Sequence, residues 1–257
     1  MRALIRHSVF MLRNRKLLAL HLLLNAALMA AASFWLLIPE ARAWQLVFAA
    51  VSAIAIAGIF LWLHSGTLIY ALEPLPENFC TALRIRILPM IWLSVGFAAM
   101  FWCMSIVDGW RDNPWQLSGY LYSKAPQWLR PTSGAMNYTH GLLEIEAILF
   151  WFVIPSLLLP FIAGRVTGRR FRAPFRVLAS WRYWLAMAVL CVAGVWLTRL
   201  IIGWVPGKTL AFQTASMIVR LAIAYVIATG AWLLAAGVLG YFVAGPEMAA
   251  RAISANA

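Results

Sequence analysis

Six long apolar runs, each bounded by charge, constrain this chain more than any other feature of it. They fall at about 17–38, 44–72, 87–107, 142–164, 183–203 and 215–245. A helix needs ~20 apolar residues to cross ~30 Å of hydrocarbon at ~1.5 Å per residue. Lipid offers no partners to backbone N–H and C=O groups, so only helices and closed barrels span it. Barrel strands alternate apolar and polar residues, and these runs show no such alternation. The reading is therefore all-α: one domain over 1–257, a bundle of six transmembrane helices. Composition agrees, at 64% hydrophobic and 11% charged, with a mean hydropathy of +0.83. A water-soluble domain carries about 25% charged residues, so this chain lacks the polar surface to live in water.

Orientation follows from one stretch. Between the fourth and fifth runs lie Arg165, Arg169, Arg170, Arg172, Arg176 and Arg182, with no acid among them. Basic loops stay on the cytoplasmic face, which puts both termini there as well. Fourteen of the 21 lysines and arginines then fall on the cytoplasmic side: Arg2, Arg6, Arg13, Arg15, Lys16, Arg84, Arg86, these six and Arg251. Arg42, Arg111, Lys124, Arg130 and Lys208 fall outside. The net charge of +13 is thus a topology signal, and no nucleic-acid partner is expected. Anionic lipid headgroups are the expected partners of residues 165–182, each basic residue adding about 1 kcal/mol of attraction. A protein docking on the same loop is the alternative. Compactness and short loops point to a bacterial-type plasma (inner) membrane.

Residues 1–16 form an amphipathic lead-in. Arg2, Arg6 and Arg13 share one arc at ~100° per residue, and Leu4, Ile5, Val9, Met11 and Leu12 cover the opposite one. Such a helix lies in the membrane surface, or is an early start of the first span. Ala30-Ala31-Ala32 resembles a signal-peptidase site, but the apolar run continues to Ile38, so an uncleaved helix is expected. Similar basic lead-ins precede the third run (Phe79 to Leu88) and the fifth (Phe175 to Leu185), a threefold regularity that positive-inside bias also produces. The loop Asp108–Gly141 reads as an interfacial element. There Asp112 or Asn113 caps a short helix opening on Pro114, with Leu117, Tyr120 and Leu121 as its apolar face and Trp110, Trp115, Tyr122 and Trp128 nearby.

Charges within hydrocarbon are costly and therefore worth singling out. Arg199 and Arg220 lie in the outer parts of the fifth and sixth runs. Glu144 and Glu146 open the fourth run on the same side, and Asp108 closes the third. These five make a candidate ion-pair or substrate cluster. The plainer alternatives are arginines snorkelling to headgroups and glutamates favoured by a helix N-terminus. His140 and Glu144 have the four-residue spacing of a metal or acid–base pair, but spacing fixes no third ligand, so no metal or cofactor is expected. His21 and His64, the latter beside Ser65 and Thr67, should lie at similar depth near the cytoplasmic side. They form either a substrate-facing pair or a hydrogen-bonded tie between helices. Pro155 and Pro160 each remove a backbone donor from the fourth run, either kinking it or making it a flexing gate.

Cys80, Cys103 and Cys191 suggest no disulfide framework. The sequence holds no P-loop, HExxH or GxSxG motif. A non-enzymatic multi-pass protein is expected, as a membrane subunit of a complex or transport system. A self-contained transporter for a small or lipid-like solute is the alternative.

Overall fold

The computed structural model describes residues 2–39, 42–72, 79–84, 86–109, 114–127, 130, 135–168, 172–205 and 209–245. Among these the regular structure is helical throughout, with no strand. In chain order the helices are α1 (Arg2–Arg13), α2 (Arg15–Trp35), α3 (Ala43–Leu72), α4 (Phe79–Ala82), α5 (Ile87–Asp108), α6 (Pro114–Lys124), α7 (Ala135–Ile148), α8 (Ile154–Val166), α9 (Arg172–Leu178), α10 (Trp181–Cys191), α11 (Leu197–Gly203) and α12 (Leu210–Ala244). One π turn, Leu149–Val153, joins α7 to α8, and another, Val192–Trp196, joins α10 to α11. Six spans are long and apolar enough to cross a membrane: 15–35, 43–72, 87–108, 137–166, 181–203 and 210–244.

The ends of these spans differ from the sequence reading where capping, not hydrophobicity, sets them. Asn14 sits between Arg13 and Arg15 and caps α2, its Oδ1 accepting from the Leu17 N–H at 3.1 Å. That cap breaks the N-terminal lead-in from the first span. The fourth span starts within α7, which begins at Ala135. Glu144 and Glu146 therefore lie well beyond its first turn, where the attraction of a helix N-terminus has faded. The helix expected at Pro114 does begin there, while Asp112 and Asn113 lie outside the described residues.

The π turns have identifiable causes. Pro155 has no N–H for the carbonyl of Trp151, and the turn just before it is widened, with the Ile154 N–H reaching Leu149 O. At the other π turn the Leu197 N–H reaches Val192 O, and the Thr198 hydroxyl lies 2.8 Å from Gly194 O and 2.7 Å from Val195 O. Thr198 thus supplies a donor to carbonyls that the widened turn leaves short. Gly194 also lets this turn meet α12, since a Cβ there would lie 2.9 Å from Ala231 Cβ.

The chain divides into two compact units, residues 1–94 with 160–257, and residues 95–159. In the first, α12 is the hub, meeting α1, α2, α3, α9, α10 and α11. Its segment from Leu233 to Val243 is buried almost all round, as expected of a helix apolar on every face. Helix α1 does not lie free on a surface. It packs across α12 through Leu4, His7, Ser8 and Met11, while Ile5 of the expected apolar arc is exposed. Contact is backbone-close: a Cβ on Gly237 would lie 2.7 Å from Ser8 Cα. In the second unit, α6 rests on α7. Thr139 donates to Ser118 at 2.8 Å, and the Tyr122 and Tyr138 rings meet edge to face. Trp115, Tyr120 and Leu121 remain exposed.

Candidate functional site

His21 on α2 and His64 on α3 are brought together, their ring centroids 5.5 Å apart. The pairing arises because both sit one to two turns inside the basic end of antiparallel neighbours. His21 Nε2 lies 2.7 Å from the Thr67 hydroxyl, which itself donates to Leu63 O at 2.8 Å. With its one proton so engaged, Thr67 accepts from His21, which assigns the Nε2–H tautomer and leaves Nδ1 to accept from Asn25 at 3.4 Å. His64 is buried and packs edge-on against Phe60 and Trp232, at 4.1 and 5.2 Å between centroids.

Phe60, His64 and Trp232 line one end of a cleft of about 610 Å³ between α2, α3 and α12. Asn25, His64, Tyr225, Thr229 and Trp232 give it a polar end; the remaining walls are leucine, isoleucine, methionine, four alanines, Phe60 and Trp35. Among the described residues no charged one lines it. Most of its polar groups are occupied. The Tyr225 hydroxyl donates to Leu22 O at 2.6 Å, and Asn25 meets His21. Two are not: His64 Nδ1 and Trp232 Nε1 are buried without a hydrogen-bond partner among the described residues. Buried nitrogens in that state cost on the order of 1–3 kcal/mol each, so a native site that keeps them calls for an explanation.

The other candidates are distributed more widely. Arg220 is buried and donates to the carbonyls of Ile202, at 2.6 Å, Trp204, and Ser216, at 3.2 Å. Ile202 and Trp204 are at the C-terminal end of α11, where carbonyls lack intrahelical donors. Arg220 thus caps a neighbouring helix, a role the sequence reading did not weigh. Arg199 is exposed, its guanidinium 5.7 Å from the Trp196 ring. Both arginines belong to the first compact unit, whereas Asp108, Glu144 and Glu146 belong to the second. There Glu146 is buried, while Glu144 and Asp108 are exposed. His140 and Glu144 share one face of α7, both exposed. Among the described residues no group of three or more metal-ligating side chains comes together.

Of the basic stretch, Arg165 lies 5.3 Å from the Trp92 ring and Arg182 lies 5.9 Å from that of Trp181. Arg176 is exposed on α9, Arg172 opens that helix, and Arg169 and Arg170 lie outside the described residues, as does Phe171. Val177 is buried in the first unit, whereas Phe175 and Trp181 stay exposed.

Sequence reasoning missed Tyr225, Thr229 and Trp232. Their i, i+4, i+7 spacing was a usable signal, since it places three polar-tipped side chains on one face of an otherwise apolar span. Asn25, four residues after His21, carried the same signal on α2. Comparison of the chain with family models, curated proteins and solved structures returns no match.

Proposed function

We propose that this chain is a multi-pass membrane protein that works by holding a lipid-like molecule in the cleft between α2, α3 and α12, without covalent chemistry. The observation that carries the reading is the cleft itself. It is within the ~300–1,000 Å³ range of small-molecule sites, mostly apolar, with a few polar groups gathered at one end. An amphiphile matches that division: tail along the alanine-rich walls, head beside His64 and Trp232. Moving such a solute, or presenting it to a partner, is the use a membrane component would make of the site. Native mass spectrometry of the protein released from membranes tests it. A bound lipid should be retained by the wild type and lost when Ala57→Phe and Ala228→Leu fill the cleft. Retention by the filled variant at the wild-type level refutes the reading.

A second reading is a membrane subunit of a complex or transport system, docked through the basic stretch. It draws on the exposed Phe175, Arg176, Trp181 and Arg182, an aromatic and basic surface suited to anionic headgroups or an acidic partner. Changing Arg176 and Arg182 to glutamate should then release a stoichiometric partner while the cleft keeps its lipid. The arginine distribution supports a plasma (inner) membrane location with both ends cytoplasmic. A cytoplasmic-only reporter should work near Thr167 and fail near Ser133; the reverse result rules that orientation out.

A further inference from the structure

The two unpartnered nitrogens define what the head of the ligand must be. Trp232 Nε1 is a donor only, so it requires an acceptor atom. His64 Nδ1 either donates or accepts, depending on tautomer. A single ligand oxygen that reaches both would serve both: a hydroxyl accepts from Trp232 and donates to His64, and a carbonyl accepts from each. Charge decides against the common headgroups. Among the described residues no lysine or arginine lines the cleft, and a phosphate or carboxylate placed there finds no cation among them to offset its desolvation. The ammonium of a zwitterion fares no better, since no described Asp or Glu lines the cleft either.

The tail is set by the rest of the cavity. From His64 the cleft follows α3 back to Ala53, eleven residues or about 16 Å at ~1.5 Å per residue. Its side along this length is made by Ile56, Ala57 and Phe60 of α3 facing Leu28 and Ala32 of α2. At the far end Trp35 is already satisfied, its Nε1 donating to Ala49 O at 2.8 Å. That end therefore asks nothing polar of a ligand. We infer that the cleft takes an uncharged long-chain lipid whose head is a single hydroxyl or carbonyl oxygen, held between Trp232 Nε1 and His64 Nδ1. This rests on the cleft being the working site, as proposed above, and adds the chemical class of its occupant.

The test uses the full chain in phosphatidylcholine nanodiscs and a long-chain alcohol with a photoreactive group in its tail. Labelling should map to the segments around Leu28, Ala57 and Ala228. Unlabelled alcohol, or the matching methyl ketone, should compete, and which competes better tells a hydroxyl head from a carbonyl. The fatty acid of equal length, ionised at neutral pH, should compete at least tenfold less well. Trp232→Phe keeps the ring and removes the N–H, and should weaken labelling by about tenfold, the scale of one lost buried hydrogen bond. His64→Phe is the second variant, with the same expected direction. Labelling in the cleft that the fatty acid displaces equally well, or that neither variant weakens, overturns the head assignment and leaves the lipid cleft standing. Labelling spread evenly over all lipid-facing helices, unchanged when Ala57→Phe and Ala228→Leu fill the cleft, removes both.

Discussion

Replacing Gly240 with alanine should be among the most damaging single-methyl changes in this chain. A Cβ built on Gly240 would lie 2.2 Å from Ala71 O, 2.8 Å from Ala71 C and 3.1 Å from His7 Nε2. Real Cβ atoms stay beyond 3.0 Å, so α12 and the end of α3 must separate by about 0.8 Å. The atoms in the way are backbone, which cannot step aside as a side-chain tip does. The same movement strains the bond between His7 Nε2 and Ala71 O, 3.2 Å long and near the limit for a hydrogen bond. Overpacking of this kind costs about 1–3 kcal/mol, and a lost hydrogen bond adds ~1 kcal/mol. Against it stands alanine's better helix propensity, ~1 kcal/mol. The net expectation is a loss of roughly 1–3 kcal/mol. Gly230 on the same helix is the control: its nearest neighbour would be Leu12 Cδ2 at 3.8 Å, an ordinary contact. Gly230→Ala should be neutral or stabilising by up to ~1 kcal/mol. Unfolding of both variants in rising sodium dodecyl sulfate, followed by tryptophan fluorescence, gives the comparison. If the two unfold together with the wild type, the close approach of α12 to Ala71 is refuted.

Arg220→Leu should destabilise by ~2–4 kcal/mol, because it strips donors from the Ile202 and Trp204 carbonyls at the end of α11; Arg220→Lys should fall between. Equal, small effects from both in the same assay would make Arg220 a snorkelling residue instead. His7 gives a pH dependence. It is buried on α1 against Ala71 and Tyr241, and burial holds its pKa below the ordinary 6.5, opposed in part by the hydrogen bond to Ala71 O. A depressed pKa means the undocked helix binds more protons, so docking of α1 is strongest above pH 6.5 and weakens as pH falls through and below that value. Hydrogen exchange of residues 2–13 should quicken accordingly. His7→Gln, which keeps a donor without titrating, should flatten the response, and a response unchanged in that variant would exonerate His7.

How much of this was legible in advance depends on whether a feature is carried by one segment or by two. Each apolar run announces its own helix, so all six spans could be read off directly. His21 and His64 were found together because depth in a bundle can be counted from the basic ends of the runs. The docking of α1 was not legible. Its buried face, Leu4, His7, Ser8 and Met11, contains two polar residues, and the reason they are tolerated lies on another helix. Gly237 and Gly240 remove the side chains that would keep α1 and α3 away. Asn14, flanked by arginines, has no role in the sequence reading, and the structure makes it a cap. Arg220 was weighed against carboxylates and headgroups, the partners that charge suggests. Its actual partners are backbone carbonyls, which every residue owns and no sequence pattern marks. Pro206 gave one hint, since proline commonly follows a helix end and so forecast exposed carbonyls just before it.

Helix α12 organises the first compact unit, and the cleft follows from how that helix is divided. Its half nearer the C-terminus is built from small residues, Ala235, Ala236, Gly237 and Gly240, all buried. There α1 and α3 close onto it at backbone distance, and nothing fits between them. Its middle carries Tyr225, Thr229 and Trp232 instead. Tyr225 reaches across to α2 through its hydroxyl at Leu22 O, and Trp232 stands against His64 on α3. Large side chains on that face hold α12 away from the facing alanines, Ala32, Ala53 and Ala57, which are too short to fill the gap. Small against small closes the bundle, because van der Waals packing in lipid rewards close backbones. Large beside small leaves a cavity. A chain selected only for a stable span would gain from continuing the alanine and glycine pattern through positions 225–232. Its replacement there by a tyrosine, a threonine and a tryptophan gives up packing along the helix, a loss that the lipid site proposed above would offset.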